Sequence, residues 1–503
     1  MDIKIIKKNE STLYIEATNR IYGELSNYFS AYVDNYKWMP KFKSGQWNGK
    51  VMAFDTRSYT LPIGLLYKLH EFCTKGNYSY EQDFTIGQNV STKELQDFVS
   101  SLNIPFEVRD YQFQAAYDAI TKQHLNISSS TSSGKSLLMY IIVRWLMEQG
   151  KRILIVVPST QLVEQLFSDF YSYGWNNVED KVCMIYSGKE RLVHRPVQIS
   201  TWQSVYTEKD IDLIQSYHAV IIDECHNVSN SAKSLNMIAK NAVNACYRIG
   251  LSGSFPAENT ADWLTAVGAT GQIVVYSTYK TLQEQGHIAD FTIVPLILSY
   301  PTELRIKAYE IGTKEPLSET EKYNVESDFV YGLECRNVFI SKLCSNLKGN
   351  TLVLFKKKEL HGIPLFNKLK SDLKERTVLY IDGDIPVSER EIIRQTMEKK
   401  DDVVLVASLG TLSTGISIKN LHQLVFAAGT KSRVKTIQSI GRVLRLNHNK
   451  DSVRIFDIVD DLRIKDRVKK IFFKNYSYKH YEERMKIYRD NNFTIEEKQY
   501  TLR

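Results

Sequence analysis

Residues 129–136 read Ser129-Ser130-Thr131-Ser132-Ser133-Gly134-Lys135-Ser136, between a short β-like run (Leu125–Ser128) and an amphipathic helical pattern (Leu137–Glu148). Small residues let backbone N–H groups converge on phosphate oxygens. A lysine then serves the outer phosphates, a hydroxyl serves a magnesium ion, and a helix N-terminus backs the loop. All are present except the first glycine, whose place Ser129 takes. A loop of this kind closes a strand and opens a helix, so the stretch predicts a parallel sheet covered by helices. Taken alone, Gly-Lys-Ser describes an ordinary helix start equally well.

A second stretch separates these readings. Ala219-Val220-Ile221-Ile222-Asp223-Glu224-Cys225-His226 is an apolar strand ending in two adjacent acids. A buried strand seldom ends in a carboxylate pair unless something cationic meets it. Asp223 is the expected magnesium ligand and Glu224 the group that polarises the attacking water. A strand ending in a solvated turn explains the acids but not their place downstream of a phosphate loop. Farther on, Gln438-Ser439-Ile440-Gly441-Arg442-Val443-Leu444-Arg445 puts two arginines three apart on one helical face. A guanidinium delivered from another domain stabilises charge on a transferring γ-phosphoryl group. Without the phosphate loop these would be two solvated arginines; with it, NTP hydrolysis is the chemistry.

Working outward, apolar β-branched runs recur at Arg152–Val157, Ala219–Ile222, Thr351–Phe355, Val378–Ile381, Val403–Val406, Leu424–Ala427 and Val453–Ile458, spaced by helical patterns. They form two clusters, parted by the polar stretch Pro301–Glu326. The expected organisation is a small α+β N-terminal domain (1–90), a first α/β domain (91–295), a second (296–463) and a charged, tyrosine-rich helical extension (464–503). The chain has 503 residues, too many for one core. Its 43% hydrophobic and 24% charged content is that of a soluble globular protein. No apolar run is long enough to span a bilayer, and Met1-Asp2-Ile3-Lys4 begins no signal peptide. No membrane role is expected. The six cysteines form no close pairs, which points to a reducing, cytoplasmic setting. A net charge of +8 permits a nucleic-acid partner without demanding one.

In order, these motifs resemble those of superfamily 2 DExH helicases over residues 105–460, which implies two tandem RecA-like domains using ATP and Mg2+. Val108-Arg109-Asp110-Tyr111-Gln112 resembles the segment in which a glutamine reads adenine, carried here onto Gln112 with Arg109 beside it. Thr131, Ser132, Ser133, Gly134, Lys135 and Ser136 match motif I and Asp223–His226 motif II, with Ser136 and Asp223 as the implied magnesium ligands. Val157–Gln165 resembles motif Ia and Ser200-Thr201-Trp202-Gln203 motif Ib, both on the strand-binding face. Leu251-Ser252-Gly253-Ser254 stands at motif III, Gly410–Ile416 at motif V, with Gly415 toward the nucleotide, and Gln438–Arg445 at motif VI. Ser129 and Gly253 depart from the family pattern and leave rate and coupling open.

The DECH box, Gln438–Arg445, Leu282–Ala289 and Trp38–Lys50 further resemble the UvsW recombination helicases of T-even-like bacteriophages. That resemblance implies a monomer in the host cytoplasm, acting in phage recombination, repair and replication. Its substrates would be branched or single-stranded DNA and RNA–DNA hybrids, through branch migration, fork regression and unwinding of D-loops, R-loops and Holliday junctions. Single-strand-binding or recombination proteins would be its partners. An RNA helicase, or a nucleotide-gated clamp or annealing factor, remain alternatives.

A motor that tolerates any sequence should hold its track by phosphates. Ser159, Thr160, Gln161, Thr201, Gln203, Thr411 and Thr414 suit that role, though helix capping accounts for any single hydroxyl equally well. Lys37, Lys41 and Lys43 interleave with Tyr36, Trp38 and Phe42. Read as a nucleic-acid patch, the lysines are better candidates than the tryptophan; read blandly, the rings are the small domain's core. His226 has no second histidine nearby. It is expected to couple hydrolysis to movement by bonding across the cleft, with Ser252, Ser254 and Gln438 in the same role.

Overall fold

The computed structural model describes residues 1–187, 194–413, 418, 420–430, 432–444, 452–466 and 470–502. They divide into two compact units, Met1–Ser277 and Thr278–Arg503.

The first unit opens with β1 (Ile3–Asn9), β2 (Thr12–Ala17), β3 (Ser30–Tyr32), β4 (Lys50–Met52), β5 (Thr60–Pro62) and β6 (Tyr80–Gln82). Alternation places Ile3 and Ile5 of β1 and Leu13 and Ile15 of β2 on one buried face of a β5-β2-β1-β6 sheet. Helices Asn19–Tyr28 and Leu66–Gly76 supply Leu25, Leu69 and Phe72 to that core. Ala261, Trp263, Leu264 and Val267, from the far-off helix Ala261–Thr270, complete it. The other side of that helix sends Ala266 and Ala269 into the core behind the next sheet. The N-terminal domain expected to stand apart therefore shares a core with the rest of its unit.

That next sheet contains β7 (His124–Ser129), β8 (Ile153–Val157), β9 (Val182–Ile185), β10 (Val197–Thr201), β11 (Ala219–Asp223), β12 (Tyr247–Ser252) and β13 (Gln272–Ser277), ordered β13-β7-β12-β11-β8-β10-β9. Every pairing in it is parallel. Strands covered on both faces read as continuous apolar runs, as Ile153–Val157 does.

In the second unit, β14 (Asp290–Ser299), β15 (Thr351–Phe355), β16 (Val378–Ile381), β17 (Val404–Ser408), β18 (Gln423–Phe426), β19 (Ser452–Asp461), β20 (Ile464–Asp466), β21 (Ile471–Phe473) and β22 (Lys498–Thr501) follow in the chain. All but β20 and β21, a separate antiparallel pair, form one parallel sheet ordered β16-β17-β15-β18-β19-β14-β22. The fold is thus α/β with two tandem parallel sheets. The expected boundary at 295/296 falls inside β14, because the alternating reading missed a strand that begins at Asp290.

The polar stretch 301–326 is no linker; it lies in helices Thr302–Thr313 and Glu319–Tyr331. A capping box between Ser318 and Glu321 opens the second of these. The tail forms helix Tyr476–Asp490 and also β22, the sheet edge beside β14. Buried Arg484 bonds both oxygens of buried Asp457 at 2.8 Å, and Tyr488 donates to the same carboxylate at 2.9 Å. Replacing Arg484 with alanine would strand that carboxylate, so urea unfolding should show a loss of about 3–5 kcal/mol. Glu326 accepts the N–H groups of Tyr476 and Ser477 at the start of the tail helix, both at 3.0 Å. Burial pushes its carboxyl up to about 7. The folded chain therefore holds a proton there that the unfolded chain releases near the ordinary glutamate value, and stability falls as pH rises through that window. Thermal melts at pH 5 and pH 8 should show a decline that Glu326→Gln lacks.

Candidate nucleotide and nucleic-acid site

Because the first sheet is parallel, the loops after its strands gather at one edge. The phosphate loop follows β7, Ser252 ends β12, and the acid pair ends and follows β11. Strand order thus sets motif III between the phosphate loop and the acids, with the segments after β8 and β10 beyond them.

Gly134 is left-handed at φ 78°, and a Cβ there would lie 2.3 Å from Gln112 Nε2, so the loop requires glycine on two counts. Gln112 Nε2 donates to the carbonyls of Ser133 at 2.8 Å and Gly134 at 3.3 Å, while its Oε1 accepts the Arg109 N–H at 3.0 Å. Arg109 donates to the Tyr111 hydroxyl, which donates to the Ser133 carbonyl, each at 2.8 Å. Gln112 thus braces the phosphate loop with both ends of its amide.

Ser129 shows what stands in for the missing glycine. Its buried hydroxyl bonds Ser133 and Ser277, each at 2.7 Å, and Ser277 Oγ also accepts the Ser130 N–H at 3.3 Å. The loop is therefore tied to the last residue of β13. No local pattern in the sequence joins residues so far apart. In motif III, an alanine at Gly253 would meet Thr131 at 3.4 Å, an ordinary contact, so this departure is not sterically enforced.

At the end of β11, Asp223 Oδ1 is shut off from solvent with no hydrogen-bond partner. Burial, then the neighbouring Glu224, raise its carboxyl to about 6, and the charge of Lys135 opposes them. A buried oxygen without a donor, facing a lysine across a phosphate loop, fits a hard divalent cation. Lys135 Nζ donates to the Ser129 carbonyl at 3.3 Å. The hydroxyl of Ser136, the other expected magnesium ligand, lies 2.7 Å from the Tyr173 hydroxyl. Glu224 takes a left-handed turn at φ 51°, the kind of strained backbone that collects at functional sites. Its Oε2 lies 3.1 Å from His226 Nδ1, and that nitrogen lies 2.8 Å from Ser252 Oγ. Ser252 Oγ also accepts the Ser254 N–H at 3.1 Å. The partner expected for His226 across the cleft is thus motif III of its own sheet.

Comparison with known proteins matches residues 2–83 to the family described as DNA helicase UvsW, N-terminal, and 105–257 to Type III restriction enzyme, res subunit. Residues 335–447 match the Helicase conserved C-terminal domain. The chain is 30% identical to the ATP-dependent DNA helicase uvsW of Enterobacteria phage T4 over 98% of both chains. The chain belongs to the UvsW family of DNA helicases. Putative helicase 22 of Sulfolobus islandicus filamentous virus is 27% identical, over 90% of this chain and 85% of that protein. The crystal structure of T4 UvsW aligns over 100% of both chains with 28% identity and a TM-score of 0.50.

Of the track contacts expected in this UvsW-family helicase, Thr160 and Gln203 are exposed, and Ser159 and Gln161 half-buried, all just beyond β8 and β10. Ser159 caps its helix, accepting the Leu162 N–H at 3.4 Å. Thr201 and Thr411 are buried, their hydroxyls bonded to Ser204 at 2.9 Å and Ser408 at 2.6 Å. Each bond runs to a serine hydroxyl three residues away. Gln438 and Arg442 lie half-buried four apart on helix Arg433–Val443, and the carbonyl of Ile437 in that helix accepts the Tyr279 hydroxyl at 3.2 Å. Thr414, Gly415 and Arg445 lie outside the described residues.

The serine tie can be tested by removing the Ser277 hydroxyl. Ser277→Ala removes the two hydrogen bonds that its hydroxyl makes to Ser129 and to the Ser130 N–H; a net loss of about 1 kcal/mol in the bound loop should raise the ATP KM about fivefold with kcat little changed. Steady-state ATPase assays read both constants.

Proposed function

We propose that this chain is an ATP-driven DNA helicase whose working substrate is branched DNA, moving junctions, regressing forks and unwinding D-loops, R-loops and Holliday junctions. The observation that carries the motor reading is Glu224 held through His226 to Ser252, on strands adjoining the phosphate loop. That contact joins the hydrolytic carboxylate to motif III, so a change at one is felt at the other. An accumulation of unconnected motifs would not provide it, and a passive clamp would not need it.

Lys135 orients the outer phosphates and Glu224 takes the proton of the attacking water. Mg2+ held at Asp223 would supply charge neutralisation at the same phosphates. Arg442 and Arg445 would have the motif VI role of stabilising charge on the transferring group. Ser159, Thr160, Gln161 and Gln203 would hold the strand by its phosphates. The branched-DNA part of this reading is supported by the UvsW-type N-terminal domain and by resemblance along the whole chain.

ATPase rates measured without nucleic acid, and with single-stranded DNA, a four-way DNA junction or single-stranded RNA, test the reading. DNA should stimulate, the junction most, and Glu224→Gln should lower the stimulated rate at least about a hundredfold. Stimulation by RNA alone would move the chain to RNA remodelling. Strand annealing without hydrolysis would favour the clamp. Deleting residues 1–90 is a poor test of the N-terminal domain, since it would uncover Trp263, Leu264 and Val267.

A further inference from the structure

Between β3 and β4 the chain makes an excursion, residues 33–49, whose two helical turns, Tyr36–Trp38 and Pro40–Lys43, bury no residue. Aromatic segments usually become ordered by burying their rings. Here the rings order one another instead. Tyr32 stacks on Tyr36 with centroids 4.5 Å apart, and Phe42 meets Tyr36 edge-on at 4.9 Å. Gly49, left-handed at φ 81°, makes room for them, since a Cβ there would lie 2.2 Å from the Tyr36 ring. The rings of an ordinary core would be covered, yet Trp38 is 73% exposed and Tyr32 50%.

Each open ring is accompanied by a cation. Lys43 Nζ lies 5.4 Å from the Trp38 ring, Lys50 Nζ 5.0 Å from Tyr32 and Lys37 Nζ 6.0 Å from Tyr36. Across residues 30–52, Lys37, Lys41, Lys43 and Lys50 face a single acid, Asp34. An apolar protein-docking patch has no use for that imbalance, whereas a polyanion with flat, open faces fits both features. Duplex phosphates alone would occupy the lysines but leave the rings idle, because stacking on a side chain needs a base whose face is free.

We infer that this excursion is a stacking platform for unpaired nucleobases at a branch point. Trp38 receives a base face, while Lys37, Lys41, Lys43 and Lys50 meet the adjoining phosphates. The inference rests on the reading of the chain as a DNA motor and gives that motor a place that recognises unpaired bases. It also reverses the ranking of lysines over tryptophan that the sequence suggested.

The test uses the full chain and a DNA junction carrying 2-aminopurine at unpaired branch-point positions, with a fully paired duplex as control. The wild-type protein should quench the probe on binding. Trp38→Ala should lose that quenching and bind the junction about tenfold more weakly, with duplex binding unchanged and Trp38→Phe restoring most of the loss. Lys43→Gln should lower the slope of log Kd against log salt by about one and weaken both DNAs alike. Basal ATPase and thermal melting of Trp38→Ala should match wild type. Wild-type quenching and affinity in Trp38→Ala would overturn the platform while leaving the motor reading standing. Equal loss on duplex and junction, unrepaired by Trp38→Phe, would also overturn it. Absence of any DNA stimulation in the wild-type ATPase would instead bring down the motor reading.

Discussion

A carboxylate oxygen closed off from solvent, with no donor to meet it, is the constraint around which the first unit is arranged. Asp223 stands at the end of a strand that is otherwise apolar and buried, beside a second acid, and burial raises its carboxyl well above the ordinary range. Such a group costs free energy unless a positive charge answers it. Lys135 answers in part, and the unmet oxygen fits a hard divalent cation. Neighbouring features serve that arrangement. β12 runs directly beside β11, bringing Ser252 within reach of His226, and β7 on its far side brings in the phosphate loop.

The same strand order explains why the N-terminal domain is part of the motor's first unit. After motif III ends β12, the chain leads into helix Ala261–Thr270, one side of which packs behind the sheet while the other finishes the core of the N-terminal domain. Lys68 of that domain bonds Glu258, just before the helix, at 3.0 Å, and its charge lies over the Trp263 ring. A close-packed interior transmits displacement because it has few voids to absorb it. The N-terminal domain thus packs against the helix that follows motif III with no linker between them. An independent domain on a flexible linker would not have this property.

What could be read in the sequence was local. The phosphate loop, the strand ending in Asp223 and Glu224, and most parallel strands announced themselves through short patterns whose physics is confined to a few residues. What could not be read depended on partners far along the chain. Trp263 and Leu264 look like any amphipathic helix, and nothing near them names the N-terminal sheet as their cover. Gln112 bears a recognisable motif, but its bonds to Ser133 and Gly134 follow from the folded loop. Residues 301–326 were read as a separator from their polarity, although Ser318-Glu319-Thr320-Glu321 carried the spacing of a capping box. Exposure was the least legible quantity. Tyr36, Trp38 and Phe42 have the composition of a core segment, and only tertiary placement leaves Trp38 open.

Ser129 shows how a departure from a family pattern can add a constraint instead of removing a function. Glycine at the first loop position provides conformational freedom. Serine gives some of that up and gains a buried hydroxyl, which here reaches Ser133 within the loop and Ser277 on β13. Ser277 is also the residue after which the chain leaves the first unit. One hydroxyl cluster therefore touches both the loop that must close on phosphates and the strand from which the chain departs. A loop pinned in this way is pre-organised before nucleotide arrives, which lessens the ordering cost of binding. Any rearrangement of the loop must also break or carry with it the bond to the departing strand. The glycine form of the loop would lack that bond, so in this chain the bracing of the loop and its tie to the departing strand both come from the same side chain.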